Sequence, residues 1–493
     1  MKTMKQPILS VFVPLAMMLP IGLQAAPAHI NALRYSNSLQ PNKIAAALAA
    51  QPTESKSQTK QAATQFQQSL VDIYRQALAH DPSLASALSA NKAAQEIIEQ
   101  GKALYRPTVN FNADASTSST HIRYLKSNIP PGNSKFENLR AGIEARQPIY
   151  RKQNLVQIEQ TQTQVSQADK QYHLSQQTLI LRTTQAYFDV LIAQDKIDLI
   201  GAQKIAILSQ LDQAKATFEV GTATITDVNE AQARYDLIIA QEIAAINEFE
   251  IAKRTVEAIT GSIPNKLATV KPDIQVASLT QSMQDWQLVG SQNNLNIQIQ
   301  QDALRLAEQE VEFANAGHLP TLDAVASYTN SYANGSPSVF SAGNELKNAT
   351  IGLQLEIPIY AGGAISSRAR QAVLNKQKAQ DDVQIARRQT DLETQRAFFN
   401  LSSTIAQVKA LDQALISSQS QLDSTQLGYE VGVRTSVDVL NAQQQLFSAK
   451  RDLLQARYNY LVNIIRLKAA SGLVAEADLQ DINQQLVVIT NAN

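Results

Sequence analysis

Phe218–Gln232 reads FEVGTATITDVNEAQ, and Tyr429–Gln443 reads YEVGVRTSVDVLNAQ. The two stretches share a glycine (Gly221, Gly432), a threonine (Thr224, Thr435) and an aspartate (Asp227, Asp438), each pair 211 residues apart. Each stretch has the signature of a tight turn between two helices. Glycine closes the incoming helix because it takes left-handed backbone without a Cβ clash. Thr-x-x-Asp opens the returning helix as a capping box, whose hydroxyl and carboxylate satisfy free N–H groups. The carboxylate also favours the positive helix end by about 0.3–1 kcal/mol. A chain that writes this turn twice contains two helical hairpins.

The sequence around each turn suits very long helices. No proline lies between Pro148 and Pro264, and none follows Pro358. From Arg151 to Thr217 is ~67 residues, roughly 100 Å of helix at ~1.5 Å per residue. Leu401, Val408, Leu415 and Leu422 recur every seven residues, a coiled-coil-like seam. The first copy is weaker: Val190, Ile197 and Leu211 fit, and Lys204 breaks the series. AYF at Ala186 and AFF at Ala397 are again 211 residues apart, and Gly261 and Gly472 stand where each hairpin ends. Upstream, Ser69 to Tyr105 is helical in pattern, with an interruption at Pro82.

Ahead of each long helix the apolar period changes to two. Val109, Phe111, Ala113 and Ala115 alternate with Asn110, Asn112, Asp114 and Ser116. After the turn IPPGNS, Leu139, Ala141, Ile143 and Ala145 alternate with polar residues that include Arg140, Glu144 and Arg146. The second half repeats this with LPTLDAVASYT and with Ile351, Leu353, Leu355 and Ile357. These are hairpin strands with one apolar face. Pro107, Pro148, Pro320 and Pro358 mark the four helix–strand junctions, where a missing N–H costs little and the fixed φ makes a corner.

The 493 residues carry 43 basic and 43 acidic side chains, so no net charge draws the chain to nucleic acid or an anionic surface. The absence of cysteine excludes disulfides, thiolate chemistry and a lipid anchor on an N-terminal thiol. Lys2 and Lys5 precede a short apolar run containing Pro14 and Pro20, followed by LQAAPA. That is an export signal over residues 1–25, cleaved near Ala25 or Ala28, rather than a membrane helix. Residues 26–66 form a polar, biased extension. The five histidines, His80, His121 and His318 among them, are scattered, and no metal, phosphate-loop or nucleophile motif is present. The chain is therefore read as a non-enzyme without a cofactor.

Four strands with an apolar face, each about ten residues, are long enough to cross a bilayer when tilted. Four cannot close a barrel, for which about eight are needed, and an open edge in lipid is not viable. A membrane reading therefore demands several copies of the chain. The alternative is a soluble periplasmic coiled-coil scaffold or adaptor without a pore, which shares the signal and the heptads but has no use for four amphipathic strands bracketed by prolines.

The segments QLDQAKATFEVGTATITDV (from Gln210), HLPTLD (from His318), PIYAGG (from Pro358), GYEVGVRTSVDVL (from Gly428) and ARYNYLVN (from Ala456) resemble the TolC family of outer-membrane channel-tunnels, in order from about Leu70 to Gly472. The resemblance implies an α+β fold: four strands per chain, closed across a homotrimer into an outer-membrane β-barrel, continuing into a long α-helical periplasmic barrel with a small mixed equatorial region. Two internal structural repeats are expected. The first spans 67–261, with its hairpin at about 108–148 and turn at 218–228. The second spans 286–472, with its hairpin at about 321–358 and turn at 429–439. An equatorial linker (262–285) and a C-terminal tail (473–493) complete the chain.

The resemblance further implies export of drugs or secreted proteins, together with a periplasmic adaptor and an inner-membrane ABC, RND or MFS transporter. It also implies contact with outer-membrane lipid. The turns would form the closed periplasmic end. There Tyr429 and Arg434, which stands where the first turn has Ala223, would link to Thr226 and Asp227, within and between chains. The family places two acidic rings in the aperture. Asp438 matches one, whereas Asn441 occupies the other, which predicts weaker cation preference and weaker block by polyvalent cations.

Overall fold

The computed structural model describes residues 67–126, 128–271, 274, 276–336 and 342–487. The expected export signal, the extension and the end of the tail lie outside these residues.

Ser69 caps the first helix, α1 (Leu70–His80), through a reciprocal box with Asp72. Asp81 ends α1 and caps α2 (Pro82–Ala103): its carboxylate accepts the Leu84 N–H at 2.8 Å, with Pro82 at the first helical position. Two strands follow, β1 (Thr108–Ile122) and β2 (Gly132–Tyr150), then the long helix α3 (Lys152–Glu219) and its return α4 (Ile225–Thr260). The second half lists the same elements in the same order. These are α5 (Met283–Asn293), α6 (Leu295–Ala316), β4 (Thr321–Ala333), β5 (Asn344–Glu356), α7 (Ala364–Glu430) and α8 (Ser436–Ala470). The long helices have 68 and 67 residues and their partners 36 and 35, so the hairpins nearly match in length. Between the halves runs the short strand β3 (Thr269–Val270); after them come α9 (Glu476–Asn483) and β6 (Leu486–Val487).

The four long strands form one antiparallel sheet in the order β1-β2-β4-β5. Its register sorts side chains by face, because side chains alternate along every strand. One row reads Val109, Ala145, Ala326, Ile351, and the next on that face Phe111, Ile143, Tyr328, Ala349. The opposite face carries Asn110, Glu144, Ser327 and Thr350 in one row, and Asn112, Gly142, Thr329 and Asn348 in another. The apolar face is uncovered in the single chain: Phe111 is 69 % exposed and Ile351 90 %. The strands run 13 to 19 residues, longer than the ten or so expected. Backbone pairing continues through the polar Ser116–Ile122 stretch, beyond the last apolar alternation. Pro148 lies inside β2, where the register slips by one residue, so the strand reaches Tyr150. Pro107, Pro320 and Pro358 lie between helix and strand.

The main core lies partway along the long helices. Leu179, Tyr187, Phe188 and Leu191 of α3 pack there with Leu461 and Ile465 of α8, with α1 and with Leu479 of α9. The Tyr187 and Phe188 rings meet edge to face at 5.5 Å, and the Tyr187 hydroxyl donates to the Ala268 carbonyl at 2.7 Å. Beside this core, β3 and β6 pair antiparallel, which ties the inter-hairpin linker to the tail. Toward the turns the described residues form small clusters, such as Ile200, Ile207, Ile238 and Ala245 between α3 and α4. Leu401 and Val408 of the heptad series are buried, while Leu415 and Leu422 are half-buried. Lys204, the break in the first series, pairs instead with Glu242 of α4 at 2.6 Å.

Candidate functional site at the paired helical turns

The first turn begins where Gly221, at φ 78°, reverses α3. The Thr222 N–H closes back on the Thr217 carbonyl at 2.9 Å. Thr224 then caps α4. Its N–H and hydroxyl donate to Asp227 Oδ2 at 3.0 and 2.7 Å, and the Asp227 N–H donates to Thr224 Oγ1 at 3.3 Å. The second turn repeats this geometry. Gly432 has φ 80°, Val433 N–H donates to the Gly428 carbonyl at 2.8 Å, and Thr435 and Asp438 form the box at 2.9, 2.9 and 3.2 Å.

The turns of one chain are joined by Ser436, whose hydroxyl donates to Asp227 Oδ1 at 2.9 Å. The Thr224 hydroxyl, the Thr224 N–H and then Ser436 hold the Asp227 carboxyl below the usual carboxylate range. Asp438 is lowered as well, first by the Thr435 N–H and then by the Thr435 hydroxyl, with a contribution from the Arg434 charge. Arg434 is exposed and folds over the last turn of α7. Its Cγ comes within 2.8 Å of the position a Cβ on residue 428 would take, which explains the glycine there. Within the chain, then, the charge of Arg434 acts on Asp438 of its own turn, while the hydrogen bonds at Asp227 come from Thr224 and Ser436. Tyr429 is half-buried and Thr226 exposed.

Further along α4, Arg234 reaches α8. Its Nη2 donates to Asn441 Oδ1 and its Nη1 to Gln444 Oε1, both at 2.8 Å, and its Nε donates to Glu230 Oε1 at 2.9 Å. Sequence reasoning missed Ser436 and Arg234. The signal for Ser436 was available: the matching position of the first turn is Ile225, so a polar residue there departs from the repeat as Arg434 does.

Buried acids elsewhere each have a partner, as an interior charge requires. At the junction of sheet and helices, Asp323 of β4 is 2 % exposed and binds Arg146 of β2 at 2.9 Å and Arg151 at the start of α3. Tyr105 braces the same corner, donating its hydroxyl to the Arg151 carbonyl at 3.0 Å. Between α3 and α8 the Tyr458 hydroxyl donates to Asp195, whose carboxyl burial pushes up. Among the described residues no group of His, Asp or Glu is arranged to hold a metal, and no helix is long and apolar enough to cross a membrane.

A sheet with one bare apolar face carried on long helical hairpins is a fold this chain shares with solved outer-membrane channels. The solved structure of the outer membrane protein VceC from Vibrio cholerae superposes with a TM-score of 0.68 at 20 % identity, covering 82 % of this chain and 96 % of that one. The chain belongs to the outer membrane efflux protein family, whose model matches residues 73–262 and 291–473. The outer membrane protein TolC of Vibrio cholerae serotype O1 is 33 % identical over 422 residues, 85 % of this chain and 94 % of that protein. The proteases secretion protein PrtF of Dickeya chrysanthemi is 28 % identical over 419 residues, 84 % and 90 % of the two chains. The protein is an outer-membrane channel of the TolC type.

Proposed function

We propose that three copies of this chain close a single outer-membrane barrel over a helical tunnel, and that the turns form its gated periplasmic entrance. The observation that carries this reading is the four-stranded sheet, with one exposed apolar face and edges at β1 and β5 that no strand among the described residues covers. In hydrocarbon an unpaired edge costs several kcal/mol per polar group, so β5 of one copy must pair with β1 of the next. The polar face of the sheet then lines the lumen, and the two internal repeats give three chains the look of six units. The names of the relatives place efflux and protease secretion within the family's range. The cargo we infer is drugs or secreted proteins, delivered by an inner-membrane transporter and its periplasmic adaptor.

In this reading the turns are a latch. Thr226 and Asp227 of one turn face Tyr429 and Arg434 of another across the chain boundary, and Asp438 and Asn441 line the aperture. Each exposed ion pair is worth only ~0.2–1 kcal/mol, so a few links per copy hold the entrance closed while leaving it openable. Planar-bilayer recordings on the purified protein test this. Small conductances that rise in Arg434→Ser are expected. A sample that is water-soluble without detergent, or a detergent-purified trimer that passes no current, would favour the soluble scaffold.

A further inference from the structure

Arg234 is built into the seam between the two hairpins of one chain. It belongs to α4, in the first hairpin, and two of the three oxygens it holds belong to α8, in the second. The acceptors are three residues apart, so they share one face of α8 and match the two terminal nitrogens of a guanidinium fork. Glu230, one turn back on α4, fixes the third nitrogen, and the arginine side chain is only 20 % exposed. All three hydrogen bonds are 2.8–2.9 Å.

The surrounding seam makes this contact consequential. Toward the turns, Leu440 of α8 is buried against Leu211, Ala214 and Ala231. Arg234 itself lines a groove of about 310 Å³ between the hairpins, with Ile238, Leu440 and Phe447 as well as Gln203, Gln241 and Arg451. Gln443, in the same groove, keeps a buried side-chain oxygen with no hydrogen-bond partner among the described residues. The hairpins thus leave a groove unfilled where the fork sits, and a buried polar atom without a partner among the described residues disfavours the closed seam.

We propose that Arg234 is a positioning residue of the pore entrance, a clamp that holds α8 against α4 and keeps the aperture narrow at rest, independently of the links at the turns. This rests on the channel reading above. Because the α8 acceptors are neutral amides, a carboxylate in place of Gln444 strengthens the clamp, and a lysine in place of Arg234 cannot span both α8 oxygens.

Single-channel recording of the full trimer in planar bilayers tests it. Arg234→Ala and the double variant Asn441→Ala/Gln444→Ala are expected to raise mean conductance at least twofold. The second keeps the arginine, so it reports the clamp even if the first assembles poorly. Arg234→Lys opens the channel similarly, and adding Gln444→Glu restores wild-type conductance through an ammonium–carboxylate pair. Adding Gln444→Glu to Arg234→Ala does not. The clamp is overturned if both acceptor and arginine variants conduct like wild type while Arg434→Ser opens. If wild type and every variant, Arg434→Ser included, pass no current, the channel reading itself falls and the clamp with it.

Discussion

Asp227 serves two structures at once. One oxygen completes the cap of α4 and the other accepts Ser436 from the opposite turn, so its ionised form is favoured in the folded chain. A carboxyl held below its unfolded value contributes stability that is complete above that value, about 3.9, and is lost as pH falls through the lowered folded value. Protection of the Thr224 and Asp227 amides against hydrogen exchange, taken relative to the unfolded chain at the same pH, is therefore expected to be flat above about pH 4 and to fall below it. Asp227→Asn should exchange faster throughout and lose that acid step. An unchanged step in the variant would assign it to another carboxylate. Asp195 has the opposite sign: burial raises it, so what it contributes is present at low pH and lost as pH rises through its folded value.

At the scale of elements, the hairpins are held by small residues and short apolar clusters rather than by a continuous heptad seam. Ile238, 2 % exposed, anchors α4 against Ile200 and Ile207 of α3. Ile238→Ala should cost about 2–5 kcal/mol, because truncation leaves a cavity in a site that cannot collapse easily. Lys204→Ala removes a part-exposed pair with Glu242 and should cost less than about 1 kcal/mol. Chemical denaturation of the detergent-solubilised protein, read by helical circular dichroism, ranks the two. Equal losses would mean that the ion pair holds the hairpin as strongly as the apolar cluster does. The corner at Asp323 works at the same scale, since it fastens β4 to β2 and to the first turn of α3.

For the whole molecule, the decisive property is the sidedness of the sheet. Ile351 stands at mid-strand on the bare face, and its neighbour along β5, Thr350, is on the polar face. A lysine placed on the lipid side at the bilayer midplane costs about 2–4 kcal/mol, whereas a lumen-facing lysine does not meet hydrocarbon. For the trimeric barrel proposed above, Ile351→Lys should therefore deplete heat-resistant trimers from the outer-membrane fraction, and Thr350→Lys should leave them in place. Equal trimer yields from the two variants would remove the membrane assignment of the apolar face.

Local pattern determined much of this protein. The Gly-x-x-Thr-x-x-Asp turns, the proline-free helices and the period-two strands are all legible, because capping, backbone freedom and side-chain alternation act over a few residues. The apolar face of Val109, Phe111 and Ile351 could be listed before any sheet was known. Only the tertiary structure decided which polar groups meet. Arg234 and Asn441 are 207 positions apart, Ser436 and Asp227 209, and Arg146 and Asp323 177. On the surface of a long helix, a polar side chain that is solvated and one that is paired leave the same trace in the sequence. The difference depends on how rigid helices 35 to 68 residues long are set against each other, which no local pattern encodes. The residue pairing of β3 with β6 was illegible for the same reason: two-residue strands carry no period, and only the packing of the inter-hairpin linker and the tail beside the core brings them together.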